Sequence, residues 1–298
     1  MPKFSARYQD IAVVAASYGN GSFKNACSPP ARSAESFSDP MRWSQSYPPM
    51  KLILSLLLIA LLSTVARAAD DKVYELRTYV AEPGRVDDLV TRLKGASQLF
   101  AKHGMENVIF WAPFKDKESG QDKMAYVLGH KNREAAAASW KAFVADPAWH
   151  AMRDANESKG KVVTKVDSVF MVPTDYSPPI SAGTAQPNGV HELRTYVTPE
   201  GKLADLDARF RDHTLKLFEK HGMTNGPYFH LMDADKGAAH TLIYWVSHKS
   251  PEAATAAWKG FRANPVWIKT RDASEVNGKL TASVKSTYLT PLQLTPAK

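Results

Sequence analysis

One trio of polar side chains recurs inside the apolar stretches of this chain. Glu75, Arg77 and Tyr79 are spaced two apart in Val73-Tyr74-Glu75-Leu76-Arg77-Thr78-Tyr79-Val80. Glu192, Arg194 and Tyr196 repeat the pattern in Val190-His191-Glu192-Leu193-Arg194-Thr195-Tyr196-Val197. A period of two is that of a strand, so each trio shares one strand face. Glu and Arg at that spacing reach one another, and two chemistries follow. They form an internal ion pair that fixes the sheet, because a charge removed from water must be paired. Alternatively, Arg takes a carboxylate or carbonyl of a ligand, Glu orients the guanidinium and Tyr donates a hydrogen bond. With Leu76 and Val80 assigned to the helices, both trios are expected to point into whatever the sheet encloses.

His230 is the catalytic candidate. It shares strand parity with Tyr228 and Met232 in Pro227-Tyr228-Phe229-His230-Leu231-Met232. If Phe229 and Leu231 meet the helices, His230 faces the same interior, as a general base or as a metal or haem ligand. Other histidines read as structural: His103 and His221 at helix ends beside terminal carbonyls, His130 and His248 at a strand end on the sheet rim. Trp140, Trp149, Trp258 and Trp267 read as packing groups, Trp140/Phe143 and Trp258/Phe261 having helical spacing. No zinc-ligand spacing, HExxH, phosphate loop or nucleophile elbow is present, so the sequence requires neither metal nor cofactor.

The elements that carry these residues are duplicated. Glu75 and Gly84 match Glu192 and Gly201 at an offset of 117. From Leu99/Leu217 onward the offset is 118, so the first helix of the second copy holds one extra residue. His103-Gly104-Met105, His130, Trp140 and Phe143 then recur as His221-Gly222-Met223, His248, Trp258 and Phe261. A match sustained over about a hundred residues is the signature of an internal repeat. Each copy reads strand, helix, strand, strand, helix, strand. Helix 1 spans Val86 to Lys102 and Leu203 to Lys220; Asn132 and Ser250-Pro251 open helix 2; Asp146-Pro147 and Asn264-Pro265 restart a short helix. The copies cover residues 72–173 and 190–292, joined by a Pro- and Gly-rich linker over 174–189.

The order βαββαβ makes each copy a ferredoxin-like α+β unit. Two such units can cover each other's open sheet faces, and the expected architecture is one intramolecular α+β barrel with helices outside. The motif Tyr74-Glu75-Leu76-Arg77-Thr78-Tyr79 with Pro83-Gly84, its second copy, and the His103-Gly104 and Trp140 regions resemble the NIPSNAP family, once per copy. That resemblance implies the dimeric α+β barrel fold and no settled activity. The wider superfamily it implies contains cofactor-free monooxygenases, isomerases and haem enzymes.

At its N-terminus the chain has a second plausible start, Met50-Lys51. An eleven-residue apolar run from Leu52 to Leu62 follows, then Ala66-Arg67-Ala68, which together read as a secretory signal peptide over 50–68 with cleavage after Ala68. Residues 1–49 read as a mis-called or disordered extension. The single cysteine, Cys27, lies there, so the mature chain would contain none. Of the net charge of +8, +4 belongs to residues 1–68; the rest shows no clustered basic patch, which excludes a nucleic-acid footprint. The reading is therefore a periplasmic or secreted protein with no membrane span after signal cleavage. It is expected to be a monomer able to self-associate, binding a small, partly apolar or carboxylate-bearing molecule in the barrel. A cofactor-free or haem-using enzyme centred on His230, and a non-catalytic interaction module, are the alternatives.

Overall fold

The computed structural model describes residues 72–180 and 189–292. The extension, the signal peptide and Cys27 lie outside the described residues.

In the first copy, β1 (Val73–Ala81) leads through α1 (Val86–Lys102) to β2 (Glu106–Phe110), a two-residue β3 (Phe114–Lys115) and β4 (Asp122–His130). Helices α2 (Arg133–Ala145) and α3 (Pro147–Asn156) precede β5 (Val163–Pro173). The second copy repeats this with β6 (Val190–Val197), α4 (Leu203–Arg209), a π-helical turn (Phe210–Thr214), α5 (Leu215–Lys220), β7 (Thr224–Leu231), β8 (Thr241–His248), α6 (Pro251–Ala263), α7 (Pro265–Ser274) and β9 (Ser283–Leu289). The helix starts form where the sequence places them. Asn132 and Ser250 accept the backbone N–H of Ala135 and Ala253, and Asp146 and Asn264 cap the helices that begin at Pro147 and Pro265. The extra residue of the second copy is absorbed in the π-helical turn, which splits the counterpart of the continuous 17-residue α1.

The strands form one antiparallel sheet in the order β2-β4-β1-β5-β7-β8-β6-β9, with β3 on β4. Each copy supplies four consecutive strands, and the halves meet twice in the same manner. At one seam β5 pairs with β7, Met171 opposite Leu231 and Val172 opposite His230. At the other, Trp111 bridges Pro291, Ala112 N–H donates to the Thr290 carbonyl at 2.8 Å, and Leu292 N–H donates to the Phe110 carbonyl at 2.8 Å. The second seam closes the ring, so one chain builds the whole barrel and leaves no long sheet edge unpaired. Among the described residues no helix is long and apolar enough to cross a membrane.

Three large apolar clusters fill the molecule. Tyr74, Leu76, Ile109, Trp111, Val127, Met171, Phe229, Leu231, Ile243 and Trp245, with Leu193 against them, draw on both copies and form the barrel interior. Leu89, Leu93, Phe100, Tyr126, Trp140 and Phe143 lie between sheet and helices in the first copy; Leu206, Phe210, Phe218, Tyr244, Trp258 and Phe261 do so in the second. These clusters reverse the expected parity. Leu76 and Leu193 face inward, whereas Glu75, Arg77, Tyr79, Glu192, Arg194 and Tyr196 face the helices. The reason is polar supply. The inside of the barrel offers mainly apolar side chains, and its Trp111 indole is already spent on His191, whereas the helix-facing layer brings Trp140, Trp258, His130 and His248 within reach of the carboxylates.

Candidate functional site

Each copy of the recurring trio is the centre of a buried polar knot, in which the Nε of Arg77 and Arg194 and the Nδ1 of His130 and His248 keep no partner. Glu75 Oε1 accepts from Arg77 Nη1 at 2.6 Å and from Ser168 Oγ at 2.5 Å. Its Oε2 accepts from Trp140 Nε1 at 2.7 Å and meets His130 Nε2 at 3.1 Å. The Arg77 guanidinium lies 4.2 Å from the Trp140 ring centroid and 5.7 Å from that of Tyr79, a cation over aromatic faces. The second copy repeats this: Glu192 binds Arg194, Trp258, Ser286 and His248. Arg194 stands 4.4 Å from the Trp258 ring centroid and donates to Tyr196 Oη at 3.1 Å.

Burial alone would push the Glu75 carboxyl up. The Arg77 charge and the bonds from His130 and Ser168 outweigh it and hold the group at about 2. Glu192 is likewise pushed up by burial and brought down to about 2 by His248, Arg194, Ser286 and Trp258. Both carboxylates are therefore ionised and already surrounded by donors from their own copy. The arrangement is the internal ion pair of the first reading, with both arginines turned onto the protein and away from the barrel interior. His130 and His248, expected on the rim, are buried members of these knots. The repeat itself carried the signal, since His130/His248, Trp140/Trp258 and Ser168/Ser286 recur with the trio. His103 and His221 do not serve helix-end carbonyls with their rings. His103 bonds the Asp146 cap at 2.8 Å and His221 the Asn264 cap at 2.9 Å, tying the end of helix 1 to the short helix after helix 2.

A second polar group exists in the second copy alone. Phe229 and Leu231 line the barrel interior, so His230 faces the helices, correcting the sequence expectation, and meets Asp207 of α4. Asp207 Oδ1 accepts from Tyr176 Oη at 2.7 Å and from His230 Nε2 at 3.0 Å. Burial pushes the Tyr176 hydroxyl up and the Asp207 charge adds to it, so the phenol stays a donor. Beside it, Arg211 grips both carboxylate oxygens of Asp175 at 2.9 and 2.7 Å and lies 5.4 Å from the Tyr176 ring centroid. An open cleft of about 340 Å³ is lined by Gly201, Leu203, Ala204, Asp207 and Ala239.

Sequence reasoning passed over Asp207 and Tyr176. The copy-one positions matching Asp207 and His230 hold Val90 and Ala112, and Tyr176 belongs to the stretch read as linker. The available signal was departure from the repeat, because the one-residue slip falls in the same helix and becomes the π-helical turn just after Asp207. Such turns within helices are frequent at functional sites. Among the described residues no group of His, Cys, Asp and Glu could hold a metal ion.

A chain that closes an antiparallel barrel from two βαββαβ halves, helices outside, defines a fused two-repeat α+β barrel. The chain belongs to the NIPSNAP family, whose model matches it over residues 74–178 and again over 191–296. Similar solved structures include a candidate monooxygenase from Lactobacillus acidophilus, 14% identical over 74% of this chain and 94% of that one, with a TM-score of 0.45. They also include an uncharacterised NIPSNAP-like domain protein from Burkholderia xenovorans, 14% identical over 38% of this chain and 93% of that one, with a TM-score of 0.31. A second NIPSNAP domain protein from Burkholderia xenovorans is 18% identical over 36% of this chain and 99% of that one, TM-score 0.29. At such identities and scores these names carry no chemistry over to this chain. No curated protein matches it in sequence.

Proposed function

We propose that this exported NIPSNAP protein binds a small, partly apolar molecule in the second-copy cleft, and that His230 serves there as a proton acceptor. The observation that carries the reading is an open cleft lined by Asp207, whose carboxylate is bonded by Tyr176 and His230, where the first copy holds Val90 and Ala112 at the positions matching Asp207 and His230. An imidazole that donates through Nε2 to a carboxylate is fixed in one tautomer, which leaves the lone pair of Nδ1 to take a proton. The side chain of His230 is 29% exposed and stands next to the cleft through its bond to Asp207. The interior of the barrel is filled by apolar rings and branched chains from both copies, and the trio arginines are committed to their own glutamates, so the cleft has the better geometry. Export rests on the Met50–Ala68 segment of the sequence.

Incubating the purified protein with a metabolite extract and identifying retained molecules by mass spectrometry tests the proposal. The wild-type chain is expected to retain a molecule that Leu203→Trp, which fills the cleft, releases, and His230→Ala is expected to abolish any turnover of it. Equal retention by wild type and Leu203→Trp would sink the reading.

A further inference from the structure

We infer that the molecule recognised in this cleft bears a primary amine, held as an ammonium by Asp207 against an apolar body. The inference rests on the cleft being the binding site and goes further by naming the chemistry of the ligand.

Its basis is the carboxylate of Asp207, the one charged side chain among the described residues that line the cleft. Tyr176 and His230 both spend a donor on Asp207, and both meet the same oxygen, Oδ1. Oδ2 receives no hydrogen bond among the described residues. The basic side chains nearby are occupied: Arg211 is bound through two nitrogens to Asp175, and Lys202 is paired with Asp205 at 3.1 Å. Among the described residues that line the cleft, Asp207 alone has a polar side chain, and it offers a ligand an acceptor carrying negative charge. A carboxylate-bearing ligand, anticipated from the arginines of the repeat, would meet repulsion at this point. An ammonium satisfies the carboxylate with a charge-assisted bond, stronger than one from a neutral donor.

The rest of the lining sets the body of the ligand. Leu203, Ala204 and Ala239 present methyl and methylene surface, and Gly201 leaves room beside them. Asp207 itself is only 8% exposed, so an approaching ammonium would be partly desolvated, and its attraction to the carboxylate is less screened than on an open surface. A small alkylamine or arylalkylamine fits both requirements. The first copy, with Val90 at the matching position, lacks the carboxylate and supplies an internal control.

The test uses three probes of one shape on the full chain: benzylamine, benzyl alcohol and benzoate. Binding is read by NMR from the methyl resonances of Ala204 and Ala239. Benzylamine is expected to shift both and to bind at least tenfold more tightly than either of the others. Asp207→Asn, and separately Asp207→Val, which restores the first-copy residue, should each weaken benzylamine at least tenfold. A preserved methyl spectrum in either variant shows that it has folded. Preferential binding of benzoate or benzyl alcohol at the same methyls would overturn the amine assignment while keeping the site. Failure of all three probes also overturns it, and the retention assay with Leu203→Trp then decides independently whether the cleft binds anything.

Discussion

Replacing Glu75 by Gln keeps the shape of the first knot and removes its charge. Arg77, whose side chain is 5% exposed, would then be a buried cation without a counter-ion, facing an amide that cannot satisfy Ser168, Trp140 and His130 as the carboxylate does. Breaking one side of a buried pair costs about 3–5 kcal/mol. For a protein of this size each kcal/mol moves the melting temperature by roughly 2–4 °C. Glu75→Gln should therefore lower it by roughly 6 °C or more. The paired replacement Glu75→Leu with Arg77→Met removes both charges together and should cost less than Glu75→Gln alone, because no orphaned ion remains. Glu192→Gln should cost less than Glu75→Gln, since the side chain of Arg194 is 14% exposed and water can partly solvate it. Thermal unfolding followed by circular dichroism gives all three shifts relative to the wild type. A shift below roughly 2 °C for Glu75→Gln, or a double variant worse than the single one, would refute the view that this carboxylate is held by its partners.

Four other outcomes are expected. The carboxyls of Glu75 and Glu192 lie at about 2 in the folded protein against an ordinary 4.5; a depressed folded value stabilises above the unfolded one, so stability should be full above pH 4.5 and fall toward pH 2, by roughly 3 kcal/mol for Glu75. Urea titrations across that window should show the fall, and Glu75→Gln should reduce it, leaving the share of Glu192. Gly226→Ala would place a Cβ 2.6 Å from the Trp245 carbonyl oxygen and indole, and such crowding should destabilise by about 1–3 kcal/mol; unchanged urea unfolding would contradict the packing. On expression with its leader in a bacterium, the mature chain should be recovered from the periplasm starting at Ala69, as N-terminal sequencing would show, and light scattering should find one chain per particle, because both barrel seams are satisfied within it.

Legibility in the sequence followed locality. Helix starts at Asn132, Ser250, Pro147 and Pro265 depend on a cap and its next three residues, and they form where those residues stand. The repeat made the α+β barrel readable, because two open sheet faces in one chain have each other as the natural cover. Strand periodicity also placed Glu75, Arg77 and Tyr79 together on one face of β1. Which face that is could not be read from β1, since both of its faces are buried and each carries large side chains.

That choice belonged to the tertiary structure. Trp140, His130 and Ser168 reach Glu75 from an adjacent helix and both neighbouring strands, 55 to 93 residues away, and their donors draw the carboxylate to the helix side. The same holds for the cleft. Asp207, Tyr176 and His230 come from a helix, the stretch after β5 and β7, and no local pattern links them. They meet because β5 pairs with β7 at the seam between copies and because an extra residue is taken up in the π-helical turn beside Asp207. The chain by itself determined its elements, their duplication and which side chains share a face. Only the closed barrel decided that the inner face is apolar, that the recurring Glu–Arg pairs lie between sheet and helices, and that the Tyr176–Asp207–His230 group arises where the second copy departs from the first.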